Sequence, residues 1–242
     1  MSTPRLPEYP VERAIVSGEY PVLSLSLQER GITPVKTLFD SRLPQPIAYH
    51  PDMQVCMLEA GYAYVLQGNP LRDKLYKLGM AITETEKIPG NTYPKDVLCN
   101  AFVWNSWLVG NPQTIDPSIR RSMDARGLRI LPVRQGYTAC AVAVLDKQCA
   151  ITSDLGIARQ LEKNGFTVLR IQPGFIQLPG YGAGFIGGCC GKLAPDLLAV
   201  TGHLESHPDG QRMRDFIQKR GIAVWELTDG PLLDVGGVLP LH

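Results

Sequence analysis

The sequence of 242 residues predicts an α/β fold: a ring of five repeated modules, each made of strand, strand, helix and strand, with pseudo-fivefold symmetry. Three observations predict it. Five glycines, Gly31, Gly79, Gly127, Gly165 and Gly221, each follow a charged, helix-favouring segment and precede alternating apolar residues. A helix that ends on a left-handed glycine and feeds a strand has this pattern. Upstream of each glycine lies a short apolar run ending in a small or polar turn. Four units carry a further apolar run before that one, and the first, which lacks it, is matched by one spare strand-like segment at the far end of the chain.

Taken in order, the first module (about 11–40) has the strand "RAIVSG", a helix running into Gly31, and the strand "ITPVKTL". The second (50–89) has "DMQVCMLEA", "YAYVLQGN", a helix ending at Gly79, and "MAITETE". The third (93–134) has "DVLCNAFVW", "SWLVGN", a helix with Asp116 placed to cap it, and "LRILPV". In the fourth (136–173), "GYTACAVAV" and "CAITSD" lead to a helix capped by Asp154, then "FTVLRI". The fifth (183–228) runs from "GFIGGCCGKL" and "LLAVTGH" through a helix with Ser206 as cap to "IAVWEL". The segment "LLDVGGVLPL" (232–241) supplies the strand missing from the first module, so that both chain ends meet there and no sheet edge is left open. An open sheet with five strand-helix-strand connections is the simpler reading of the same alternation. The leading strands and the spare terminal strand favour the ring.

A hydrophobic content of 44% is enough for a substantial core, and the chain is read as a single domain over 1–242. Formal net charge is +1, so no strong field draws the chain to nucleic acid or anionic lipid. No basic start is followed by a long apolar core, and no apolar run approaches the roughly 18 residues of a membrane helix. A cytoplasmic protein with no membrane and no nucleic-acid partner is expected, and the oligomeric state is left open. The six cysteines have neither C-x-x-C spacing nor the density of a secreted scaffold, and read as reduced thiols.

A ring of such modules resembles the pentein fold, the five-bladed α/β propeller of guanidino-group-modifying enzymes, which is also used without catalysis. Two motifs carry the resemblance further. "YHPD" has the His-x-Asp pattern in His50 and Asp52, and "YPKD" places Asp96 after an aromatic and a basic residue. The resemblance implies that such carboxylates grip a guanidinium while the histidine handles protons. Two departures accompany it. The family's Gly-Gly-Asp element is "GGCC" here, Gly187 to Cys190, and the cysteine nucleophile near the C-terminus is replaced in "DVGGVLPLH" by Val238. The chain thus resembles an uncharacterised pentein lacking the deiminase C-terminal cysteine.

Superimposing the leading strands puts Asp52, Asp96 and Asp234 in one column at the strand starts. A second column follows with Cys56, Cys99, Cys140, Cys189 or Cys190, and Gly237. If these strands line a central channel, the channel is the site. Asp at strand starts is also a common turn former. The thiols read first as small buried residues crowding an axis, second as a displaced nucleophile, Cys99 or Cys190 with His50 or His203 as base, and last as a soft-metal site. The candidate set is therefore His50, Cys99 and Cys190 for catalysis, and Asp52, Asp96, Asn100, His203 and Asp234 for binding a small cationic or guanidino-type ligand, with no metal and no cofactor.

His203 and His207 in "GHLESHPDG" share a helical spacing, but Pro208 and Gly210 favour a surface turn over a metal pair. The glycine-rich "QLPGYGAGFIGG" (177–188) precedes a strand instead of opening a helix, which disfavours a phosphate loop. It reads as a lid whose Tyr181 and Phe185 cover a ligand. Two functions follow: a non-catalytic or divergent small-ligand-binding pentein, which the missing cysteine favours, or a guanidino- or amidino-compound hydrolase or transferase with a displaced cysteine.

Overall fold

The structure, a computed structural model, describes residues 3–241. Its first module is β1 (Arg13–Val16), α1 (Pro21–Glu29) and β2 (Thr33–Lys36). The second has the short helix α2 (Pro51–Gln54), then β3 (Val55–Glu59), β4 (Tyr62–Val65), α3 (Leu71–Lys77) and β5 (Ala81–Glu84). β6 (Phe102–Trp104), β7 (Trp107–Gly110), α4 (Pro117–Arg121) and β8 (Arg129–Pro132) form the third. The fourth comprises α5 (Thr138–Ala141), β9 (Ala143–Val144), β10 (Cys149–Thr152), α6 (Leu155–Lys163) and β11 (Thr167–Arg170). The fifth has β12 (Cys190–Ala194), β13 (Leu197–His203), α7 (Gly210–Gln218) and β14 (Ala223–Pro231), and β15 (Leu239–Leu241) ends the chain.

These strands make five separate three-stranded sheets, not one barrel. In each, the middle strand pairs antiparallel with its leading strand and parallel with the strand after the helix. β15 fills the leading place beside β1, with Arg13 opposite Leu241 and Ile15 opposite Leu239. The two ends of the chain are thus tied into one sheet. Successive sheets meet through their leading strands, β3 on β6, β9 on β12 and β12 on β15. Apolar clusters span the seams: Ile15, Val55, Leu71 and Leu239 pack together between the first two sheets.

All five joint glycines have positive φ, between 59° and 87°. At each, a helix or its last turn stops and the strand parallel to the middle one begins. Asp116 and Asp154 cap their helices, accepting from Ser118 N and Ile157 N at 2.9 and 2.8 Å. Ser206 does not: it lies in a 3₁₀ turn and donates to the His203 carbonyl, and α7 starts after Asp209 without a side-chain cap.

The leading strands begin later than the sequence pattern indicates. Asp52 lies in α2, Asp96 in a turn, Cys140 in α5, Cys189 in a 3₁₀ turn, and Asp234 five residues before β15. The cause is crowding. A Cβ on Gly187 would stand 2.5–2.7 Å from the carbonyl oxygens of Ala139, Cys140 and Val142, so backbone from two modules meets there with no room for a regular pleat. Alternation along a strand therefore does not set the direction of these side chains.

At Gly221, φ is +68° and a Cβ there would meet nothing within 4 Å, so only backbone conformation is at stake. Gly221→Ala is expected to destabilise the protein by about 1–2 kcal/mol in urea unfolding, without altering the native fold. Gly188→Ala should be far worse, because its Cβ would fall 1.9 Å from Asp234 Oδ1. Equal unfolding midpoints for the two variants would contradict the difference in crowding.

Candidate active site

Segments from all five modules converge ahead of the leading strands, and the polar groups they carry form the candidate site. Asp234 is its best-anchored member. Its Oδ2 accepts from Phe185 N at 2.8 Å and its Oδ1 from Gly236 N at 3.0 Å. The segment that holds it is clamped by Asp234 N to Gln177 O (2.9 Å), Val235 N and Gly237 N to Gly188 O (2.9 and 2.8 Å), and Val238 N to Cys190 O (3.2 Å). Close approach requires glycine on both sides: a Cβ on Gly184 would lie 2.5 Å from Asp234 Cβ, and one on Gly236 would lie 2.4 Å from His50 Cβ.

His50 arrives from the irregular stretch after β2, where a 3₁₀ turn at Gln45–Ile47 ends with His50 N bonded to Ile47 O. Pro51 then starts α2, and Asp52 N donates to Gly236 O at 3.2 Å, which ties the second module to the C-terminal segment. His50, Asp52 and Asp234 are each 1% exposed. His50 Nδ1 stands 3.7 Å from Asp234 Oδ1, too far for a direct hydrogen bond, and has no other partner. Neither oxygen of Asp52 has a hydrogen-bond partner of good geometry.

Such burial is costly for charge, and the protonation equilibria move accordingly. Burial pushes His50 down to about 3, so the imidazole is neutral. Burial, then repulsion from Asp234, raises Asp52 to about 7 against weaker opposition from the Cys140 thiol and the positive charge of Arg5. Asp234 rises to about 6, again by burial, with the Phe185 and Gly236 amides opposing. Near neutral pH the two carboxyls share protons instead of carrying two full charges.

Asp96 and Asn100 come from the turn before β6. Asp96 Oδ2 accepts from Tyr137 OH at 2.5 Å, while Oδ1 is buried and has no partner. Burial raises the Asp96 pKa, partly offset by Tyr137. Asn100 is buried and saturated. Its Nδ2 reaches the Asp52 carbonyl (3.1 Å), Met53 Sδ (3.1 Å) and Cys140 Sγ (3.0 Å), and its Oδ1 accepts from Ala139 N at 2.7 Å. That pattern is a brace between the second, third and fourth modules.

His203 sits elsewhere. It ends β13, partly exposed, with Nδ1 2.6 Å from Glu226 and Nε2 3.8 Å from Asp229, and no described contact joins it to the carboxyl cluster. His207 is buried as a brace, accepting from Asp209 N and facing the Gln172 carbonyl at 3.0 Å. Among the described residues no three His, Cys, Asp or Glu side chains converge as a metal site.

All six thiols are buried and free. Cys99 is raised well above the ordinary thiol range by burial and the Cys56 and Asp116 charges. Cys190 is pushed up to about 12 by burial, and its Sγ bonds the Ile186 carbonyl at 3.3 Å. No described hydrogen bond links either thiol to His50 or His203. The thiol at the site is Cys140, a member of the same sequence column outside the predicted catalytic pair. Burial and the charges of Asp52 and Asp234 raise it well above the usual range. Sequence reasoning also missed Tyr137, for which "QGYTAC" offers no signal beyond its place one turn before that cysteine.

A family described as of unknown function, DUF6873, matches residues 15–239. No curated protein matches the sequence. Among solved structures, an inosamine-phosphate amidinotransferase from Streptomyces griseus is similar at TM-score 0.63 and 11% identity, covering 100% of this chain and 97% of that one. Agmatine deiminase of C. jejuni is similar at TM-score 0.57 and 11% identity, covering 93% and 89%. DDAH from Pseudomonas aeruginosa, complexed with citrulline, is similar at TM-score 0.53 and 10% identity, covering 95% and 97%. The chain shares the fold of these structures, the five-module pentein fold.

A pH dependence of stability is expected from the buried groups. From about pH 4 upward an unfolded chain gives up the protons of Asp52 and Asp234, whereas the folded protein keeps them until about 7 and 6 respectively. Stability from these two groups therefore falls as pH rises across that window. His50 acts oppositely below its ordinary 6.5, but it is one group against two. The ligand-free protein should unfold at lower urea at pH 8 than at pH 5, and Asp52→Asn should regain roughly 4 kcal/mol at pH 8. A variant no more stable than wild type at pH 8 would contradict the shift.

Proposed function

From the premise that the chain belongs to the DUF6873 family, we propose that it binds a small organic cation of the guanidinium or amidinium class at Asp52, Asp234 and His50, without covalent catalysis. One observation carries the reading. Asp52 has two buried oxygens with no hydrogen-bond partner stronger than the weak thiol donor of Cys140, beside a second buried carboxyl, and no lysine or arginine among the described residues forms an ion pair with either. A planar cation with N–H groups along its edge supplies both the missing donors and the missing charge. His50, neutral at physiological pH, completes such a site as a hydrogen-bonding partner. The names of the fold neighbours, an amidinotransferase and an agmatine deiminase, support the ligand class.

The chemistry of the thiols supports the non-catalytic part. A nucleophile needs thiolate, and burial raises all six cysteines away from it. Val238, at the position where the resemblance puts the nucleophile, is 1% exposed and packs in the core with Val11, Ala14 and Leu193. The second reading, a hydrolase or transferase with a displaced cysteine, is favoured by one contact: Cys140 lies against Asp52 with Asn100 Nδ2 donating to its sulfur at 3.0 Å. It replaces Cys99 and Cys190 as the thiol on which that reading stands.

Titration with methylguanidinium and agmatine, followed by calorimetry in buffers of different ionisation heat, tests the proposal. Binding is expected to release protons at pH 6–7, to tighten towards pH 8 as Asp52 ionises, and to disappear in Asp52→Asn. Failure of both compounds to bind, or undiminished binding by the variant, would refute it. In parallel, a small alkylator at pH 7 should label every cysteine of the folded protein far more slowly than free thiol. Rapid labelling of Cys140, with turnover lost in Cys140→Ser, would transfer the assignment to the second reading.

A further inference from the structure

The seam between the first and fifth modules holds a pocket of about 220 Å³ that the central site does not use. Its floor is apolar: Leu23 of α1 and Val235 line it, and both are buried. Tyr20, Val22 and Leu233, none of them fully buried, carry the apolar lining outward to solvent. Hydrogen bonds across the seam hold this frame: Leu233 N donates to Thr201 O at 3.0 Å, Gln177 N to Leu232 O at 2.8 Å, and Ser26 Oγ to Leu227 O at 2.7 Å. The Thr201 hydroxyl is engaged with the Leu233 and Cys189 carbonyls. Three further polar side chains line the pocket, Gln177, Thr228 and Asp229, and no described hydrogen bond occupies the first two. Asp229 is exposed, and His203 Nε2, 3.8 Å away, is too far to donate to it. Glu19, whose charge reaches Tyr20, has no described ion pair, and no lysine or arginine lines the pocket.

We infer that this pocket binds a protonated primary amine joined to a single aromatic ring by a short alkyl arm, the phenethylamine class. Size and lining decide the body of the ligand. The volume lies below the roughly 300–1,000 Å³ of sites for drug-sized molecules, and an apolar floor with apolar walls favours one ring that leaves water. The polar side chains decide the head. A primary ammonium has three N–H donors and no acceptor, and the Gln177 amide oxygen, the Thr228 hydroxyl and the Asp229 carboxylate are three acceptors on one cavity. A carboxylate or phosphate head would meet Asp229 and Glu19 with no lysine or arginine in the lining to hold it. A small guanidinium without a ring would leave the floor empty, so this pocket and the central carboxyls select different cations. The inference is independent of the proposed function, because Asp52, Asp234 and His50 do not line the pocket. Asp234, although it lies between Leu233 and Val235 in the chain, has its carboxyl on the amides of Phe185 and Gly236.

The test titrates the full chain with three probes near neutral pH and at matched ionic strength, read by calorimetry or ligand-observed NMR. Phenethylammonium is the expected ligand; 3-phenylpropionate keeps its ring and arm but reverses the charge, and ethylammonium keeps the head without the ring. Phenethylammonium is expected to bind at least tenfold tighter than either of the others. Val22→Lys and Asp229→Asn change exposed positions, and circular dichroism should show both variants folded. The first sets a cation against the pocket and should abolish binding; the second should weaken it severalfold and narrow the preference over 3-phenylpropionate. Asp52→Asn, which alters the centre, should leave phenethylammonium affinity unchanged. Absent binding of phenethylammonium, equal affinity for the three probes, or undiminished affinity in either pocket variant overturns the assignment. Loss of binding in Asp52→Asn overturns it as well, by placing the amine at the centre. Failure of methylguanidinium to bind while phenethylammonium binds removes the central proposal and leaves the pocket standing.

Discussion

The constraint on which the structure depends is the room available where five chain segments meet. Asp234 Oδ1 occupies the space a side chain on Gly188 would fill, and the Val238 carbonyl occupies that of Gly191, with Cβ positions only 1.9 and 1.7 Å away. Backbone approaches backbone at this point because the fold brings five leading strands to a common centre. Glycine is the residue that permits it. In return, the bare backbone offers amide and carbonyl groups at close range, and these hold the Asp234 segment in place through Gln177, Gly188 and Cys190. The site is therefore built on main chain first, and its carboxyls are mounted on that frame.

That frame explains the electrostatics. Carboxyls packed this tightly are stripped of water. Among the described residues the cation whose field reaches Asp52 is Arg5, which lies at one end of the centre with its guanidinium on the Ala139 carbonyl and over the Phe102 ring. Arg5 lines a small cavity with Cys190 and Val238 instead of pairing with a carboxylate. An ion pair there would satisfy Asp52. Holding the guanidinium on a carbonyl and a ring instead keeps the charge near enough to moderate Asp52 and too far to neutralise it. Buried carboxyls left in this condition weaken the ligand-free protein, and a bound cation would relieve the cost.

Much of the fold was legible because its joints are local. A helix that must end and turn back into a parallel strand needs a left-handed residue, and Gly31, Gly79, Gly127, Gly165 and Gly221 mark it each time. The vacancy filled by β15 was readable by the same counting of elements. The leading strands were less so, since the short helices at Asp52 and Cys140 and the 3₁₀ turn at Gly187–Cys189 arise from crowding between modules that no single segment reveals. In the site, two of the aspartates that the repeat makes equivalent lie near one another, Asp52 and Asp234, with His50 beside them. Asn100 turned out to brace the modules, and His203 pairs with Glu226 on a partly exposed edge. Spacing reports which residues are equivalent by repeat; it does not report which have a carboxyl or a ring across from them, and so Tyr137 and Cys140 stayed out of view.

Crowding at the centre also decides what stands where the resemblance puts a cysteine. Were Val238 a single lost cysteine on an otherwise intact catalytic frame, its side chain would face the carboxyls. Instead Val238 is clamped by its amide to Cys190, its carbonyl lies against Gly191, and its side chain joins the apolar cluster of Val11, Ala14 and Leu193. The segment after Gly237 has been given over to closing the first sheet and sealing the core. A cysteine placed there would be one more buried thiol, raised by the same desolvation that raises the other six, and the carboxyls would still have no activated sulfur beside them. On the proposed reading, the path of the backbone through the last ten residues keeps that segment from bringing a thiol to the carboxyls. The polar groups that remain, two carboxyls sharing protons and a neutral imidazole, can hold a cation and exchange protons with it, and neither task requires the sulfur.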